Sequence, residues 1–99
     1  MKVVLSRRVE AELVGHFVFG VARFGPRLAE RTFAKVRRFI FESLPEHPHA
    51  AIYHPERDVF EHFIPNTPFI IFYRLNVEAD EAIVLAIFHH SQDRSSFDG

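Results

Sequence analysis

The residues from Pro26 to Leu44 constrain this chain most, because their pattern admits one local structure. Ala29, Phe33, Val36, Ile40 and Leu44 fall on a single stripe at helical spacing, and Arg27, Arg31, Lys35 and Arg38 fall on the opposite stripe. Such a segment is an amphipathic helix with its apolar side packed on a core, and Pro45 is expected to stop it. Upstream, Val9, Leu13, Phe17, Gly20 or Val21, and Phe24 recur at the same spacing, which predicts a helix from Arg7 to Phe24. Ser6 stands where a hydroxyl can accept an unpaired N–H of the first turn. Gly25-Pro26 ends one helix and opens the next, since proline is tolerated where no N–H is needed. Two helices with a two-residue break lie side by side as a hairpin. Gly15 and Gly20 each cost such a helix ~1 kcal/mol relative to Ala, which a close helix–helix approach would explain.

Strand signals flank the hairpin. Val3-Val4-Leu5 is a short β-branched run and reads as a first strand. Residues 45–58, with Pro45, Pro48 and Pro55, read as an irregular connection. Val59 to Ile64, Phe69 to Leu75 and Ala82 to His89 read as three further strands, separated by polar turn stretches. The last two show no clean alternation, as expected of strands covered on both faces or central in a sheet. The predicted fold is α+β, in the order β-α-α-β-β-β, with the N-terminal helical hairpin packed on a small, mainly antiparallel sheet.

At 99 residues the chain forms one domain, 1–99, since halves would be too small to bury separate cores. The hydrophobic share of 47% and charged share of 25% exclude a disordered or fibrous chain. Twelve Phe can supply much of the core, with Phe60, Phe63 and Phe69 the candidates for partial exposure. With no Cys, disulfide scaffolds, cysteine zinc sites and thiol nucleophiles are ruled out. No apolar run approaches the roughly 18 residues of a membrane span, so the expected location is the cytoplasm with no membrane partner. The net charge of −1 conceals a division. Residues 1–44 carry nine basic and four acidic side chains, for a net of +5, and residues 45–99 carry three and nine, for a net of −6.

Three pieces then point to a family. Ile71-Phe72-Tyr73-Arg74 is an apolar strand ending in Tyr-Arg, and Ile83 to Phe88 leads into His89. The tail His89-His90-Ser91-Gln92-Asp93 resembles a His-x-x-Arg-Asp pattern, with Gln92 at the arginine place and Arg94 two residues on. In this order, over almost the whole chain, they resemble the ParE branch of the RelE/ParE toxin family of type II toxin–antitoxin systems (plasmid stabilisation proteins). The resemblance implies a toxin that poisons DNA gyrase by binding, needs no cofactor and is neutralised by a cognate antitoxin wrapping the sheet and hairpin. A homodimer or a toxin–antitoxin hetero-oligomer is the implied assembly. RelE-type relatives instead cut messenger RNA on the ribosome, and a degenerate, non-toxic member is a third reading that Gln92 keeps open.

A ribonuclease needs an acid, a base and cations on the phosphate. For that reading the candidate catalytic residues are Tyr73, Arg74, His89 and His90, and the partners are the ribosome and mRNA. The strand region offers only Arg57, Arg74 and Arg94 among nine carboxylates, which disfavours gripping a polyanion there. The binder reading is therefore preferred, with Arg27, Arg31, Lys35, Arg38, Arg74, His89, Gln92, Asp93 and Arg94 as candidate contacts for target or antitoxin. The basic stripe also reads simply as a solvated helix face. Arg74 reads equally as an arginine whose stem packs while its head reaches the sheet margin, and a strand-end histidine such as His89 is more often a hydrogen-bonded structural residue than a catalyst. His47, His49 and His54 lack the spacing of a ligand set and read as metal-free loop histidines. Val59 to Ile64 is a candidate sheet edge where a partner strand can add.

Overall fold

A computed structural model of the chain describes residues 1–92 and 94. In it Gly25 lies at φ +91°, in the region glycine reaches without strain, and its N–H donates to the Val21 carbonyl at 2.9 Å. It caps α1 (Arg7–Phe24) and also begins α2 (Pro26–Arg38), so the hairpin turns on one residue. Ser6 caps α1 as its hydroxyl predicts, accepting the Val9 N–H at 3.1 Å. At Gly20 the helices approach closely, since a Cβ there would lie 3.6 Å from the Ala29 Cβ. Gly15 does not follow that expectation. It is exposed, with nothing within 4 Å of where its Cβ would stand.

All five residues of the apolar stripe on the second helix are buried, and the Phe17 and Phe33 rings meet edge-to-face at 5.6 Å. Pro45 does not end the helical path at Leu44. After α2 the chain makes a π-helical turn, Phe39–Ser43, and then the short α3 (Leu44–Glu46). The Leu44 N–H reaches back five residues to the Phe39 carbonyl. This wider turn carries the path past a proline whose ring would press on the preceding turn of a regular helix.

Five strands form one sheet: β1 (Lys2–Leu5), β2 (Ile52–His54), β3 (Val59–Phe63), β4 (Phe69–Asn76) and β5 (Glu81–His89), in the order β1-β5-β4-β3-β2. Only the β1–β5 pair is parallel. The stretch read as an irregular connection thus contains a strand. Its three residues are too few to show a period, and pairing with β3 holds them. The Tyr53 ring packs on Phe60 at 4.7 Å and its hydroxyl donates to Asp58 at 2.7 Å. One sheet edge is therefore β2, and β3 lies inside.

The sheet divides two apolar clusters. The larger lies beneath the helices, with Val9, Phe33, Val36 and Ile40 over Phe69, Ile71, Tyr73, Val84 and Ile87. The smaller, Val59, Ile70, Phe72, Ala86 and Phe88, lies on the other face. A bulge explains the missing alternation in β5. Phe72 pairs with Ala86 but Tyr73 with Val84, leaving Leu85 as an extra residue. Ala82 and Val84 therefore face the helices before it, and Ile87 after it.

Candidate functional site

Past Leu5, β5 continues without β1 beside it, and an unpaired buried strand would leave backbone groups unsatisfied. Side chains of α1 take the place of the missing strand. Glu12 Oε1 accepts the Ile87 N–H at 3.0 Å, His16 Nε2 lies 3.1 Å from the Ile87 carbonyl, and the Ser6 hydroxyl donates to the Leu85 carbonyl at 3.1 Å. Sequence reading missed Glu12 and His16. The available signal was their i, i+4 spacing beside the apolar stripe of α1.

Beyond this junction the hairpin tip and the end of the sheet enclose a groove of about 770 Å³. Its floor includes Gly20, Ala29, Phe33 and Phe69, and Phe19, Phe24 and Leu28 are exposed around it. Arg23, His16, His89, Ser91 and Gln92 supply the polar rim. His89 meets the Phe69 ring edge-on at 5.7 Å and stacks on His90 at 4.6 Å. Burial, helped by the neighbouring His90 and His16, holds its imidazole below the usual histidine range. Gln92 has a defined structural task. Its Oε1 accepts the His89 N–H at 2.7 Å, and its own N–H donates to the His89 carbonyl at 2.8 Å. An arginine side chain has no acceptor and could not close this turn.

The candidate catalytic residues do not converge. Tyr73 is buried on the helix side, stacked on Phe60 at 5.3 Å, and its hydroxyl donates to the Pro48 carbonyl at 2.7 Å. Burial pushes its phenol up to about 12. Arg74, the next residue, faces the other side of the sheet, as strand geometry requires. Its Nε donates to the Asp58 carbonyl and its Nη2 to the Arg57 carbonyl, each at 2.9 Å. His89 and His90 stand four or more residues of strand from Tyr73, about 13 Å along the sheet.

On the face opposite the helices, a carboxylate of β3 stands between a histidine and an arginine. Glu61 lies 2.9 Å from His54 Nε2 and 3.4 Å from the Arg94 guanidinium, which also rests 6.0 Å from the Phe63 ring. Arg94 is therefore not at the groove with His89 and Gln92, and Asp93 lies outside the described residues. Phe63 is exposed as expected, whereas Phe60 and Phe69 are buried. The loop histidines also part company. His49 packs toward Phe60 at 5.7 Å on the helix side, and His54 faces Glu61. Among the described residues no group of three His, Cys, Asp or Glu is placed to hold a metal, and no helix is long and apolar enough to cross a membrane. Arg27, Arg31, Lys35 and Arg38 are all exposed along α2.

A helical hairpin packed on one face of a five-stranded, mostly antiparallel sheet defines a small α+β domain. A family model for the ParE toxin of the type II toxin–antitoxin system parDE matches residues 3–94, and the chain belongs to that family. No curated protein matches it in sequence. Among solved structures it is similar to a chain of the chromosomal ParDE system from P. aeruginosa, with a TM-score of 0.69 and 18% identity, covering 90% of this chain and 95% of that one. It is also similar to chains in two complexes. In the RelBE2 toxin–antitoxin complex from Mycobacterium tuberculosis the TM-score is 0.63 and identity 17%, over 92% of each chain. In the intact E. coli RelBE complex the TM-score is 0.56 and identity 13%, over 92% of this chain and 98% of that one. At these identities the likeness is one of fold.

Proposed function

We propose that this ParE-family toxin acts by binding DNA gyrase and is neutralised by a cognate antitoxin in the cytoplasm. One observation carries the preference for a binder over a nuclease, namely that Tyr73, Arg74 and the stacked His89–His90 pair lie at three separate places. Tyr73 is buried with its proton committed to Pro48, while Arg74 is tied to Arg57 and Asp58 on the opposite face. The middle of that face is the apolar cluster of Ile70, Phe72, Ala86 and Phe88, and Arg94 on the same face is already paired with Glu61. A general acid and base must act on the same scissile atoms as the phosphate-binding cation, and the histidine pair stands about 13 Å along the sheet from Tyr73 and Arg74. The contacts for antitoxin or target are assigned to the groove rim, with His89 and Gln92, and to the opposite face, with Arg74 and Arg94; Asp93 belongs to the same tail.

Expression without antitoxin tests this reading. Gyrase-linked DNA breaks with induction of a DNA-damage response are the expected result, together with loss of supercoiling by purified gyrase. Rapid translation arrest with messenger RNA cleavage on the ribosome would replace it with the RelE-type mechanism. Unimpaired growth would identify a degenerate member.

A further inference from the structure

We propose that the outer face of α2 is a track for the phosphate backbone of duplex DNA. Arg27, Arg31, Lys35 and Arg38 follow one another at nearly one per turn and are all exposed. Among the described residues none of the four has an ion-pair or hydrogen-bond partner. They stand opposite the buried stripe of Ala29, Phe33 and Val36, so the row projects away from the sheet and its carboxylates.

Several features favour a polyelectrolyte over a protein partner. A protein interface is anchored by buried apolar side chains at its centre, whereas the exposed apolar side chains here, Leu28 and Phe41, flank the two ends of the row and its middle is all cationic. A single-stranded nucleic acid is held by aromatic side chains on which its bases stack, and the row contains none. What remains is a regular line of charge. From Arg27 to Arg38 the helix rises about 16 Å, a length over which each strand of a duplex presents about five phosphates. The helix is fixed by its buried face, so little side-chain ordering beyond the four cations is required. The row ends at Glu42, the next residue on that side of the helical path. The chain's net charge of −1 limits overall affinity, and this predicts weak, salt-sensitive, sequence-independent binding. The proposal holds whether or not gyrase is the target.

The test is fluorescence anisotropy of a labelled 30-base-pair duplex with the full chain, titrated at several salt concentrations. Four neutralised phosphates give a log–log slope of about −3.6 in salt. Replacing two cations, Arg31→Gln with Lys35→Gln, is expected to halve that slope and weaken binding at least tenfold at about 50 mM salt. Both substitutions are on the exposed surface, and an unchanged melting temperature checks that the fold is intact. The exposed Glu78→Gln, remote from the row, serves as the control and should leave the slope unchanged. Absence of duplex binding at low salt would overturn the proposal, as would an unchanged slope in the double variant. Tighter binding of the corresponding single strand would overturn it too. If the double variant weakens the antitoxin complex and spares the duplex, the row is a protein-docking face and the proposal fails.

Discussion

Tyr73 carries a phenol into the helix-side core and matches it with one acceptor, the Pro48 carbonyl. The neutral form is favoured there, so between pH 10 and about 12 the folded state binds more protons than the unfolded one. Stability should therefore fall as pH rises through that window. Absorbance titration should show one of the two tyrosines ionising near 12, and Tyr73→Phe should remove the late step. That variant should cost about 1 kcal/mol, the usual net contribution of one such hydrogen bond. His89 has the opposite sign. Its depressed pKa means the unfolded chain takes up protons first on acidification, so its contribution destabilises the fold as pH drops through 6.5. An NMR titration should place its imidazole below that of a free histidine, and His89→Asn should flatten the acid limb of stability. Adjacent Tyr73 and Arg74 were visible in the sequence as a pair. The period of two in a strand was enough to assign them to opposite faces, but it could not say which face the helices cover.

At the scale of elements, the second helix was the most legible part, because its two stripes and the Gly25-Pro26 break all point to one geometry. The central strand β4 was legible for a similar reason. β2 was not, since three residues between prolines carry no period and owe their conformation to β3. The π-helical turn was also invisible, being the local response to Pro45 in a path that tertiary packing prolongs. Nor could the sequence show that β1 stops short of β5, which is what gives Glu12 its structural role. Glu12→Ala should leave the buried Ile87 N–H unmatched and cost about 1–3 kcal/mol, whereas Glu12→Gln should recover most of that by keeping an acceptor. Phe33→Ala removes a ring packed between Phe17 and Phe69 and should cost about 3–5 kcal/mol. For a domain of this size each kcal/mol lowers the melting temperature by roughly 4–8 °C, which calorimetry resolves.

At the scale of the molecule, the sequence reading of charge was more informative than its sum. A hairpin carrying most of the arginines sits on a sheet whose loops and far face carry carboxylates such as Asp58, Glu61 and Asp80. What the sequence could not deliver was the groove, because His16, Arg23, Phe69 and His89 come from three separated segments. The carboxylates suit a basic arm of an antitoxin, and such a complex should dissociate more readily as salt rises from about 50 to 500 mM. Equal affinity at both concentrations, measured by calorimetry, would rule out an electrostatic contribution from this side.

The one-residue hinge at Gly25 has a consequence for how such a domain can vary. Since the same residue closes α1 and opens α2, there is no slack to absorb an insertion or deletion in either helix near the tip. Adding one residue to the start of α2 would turn every later position by about 100°. The arginine row would swing toward the sheet while the apolar stripe came out into water. Core and outer face are thus geared together, and this part of the chain can change its side chains far more freely than its length.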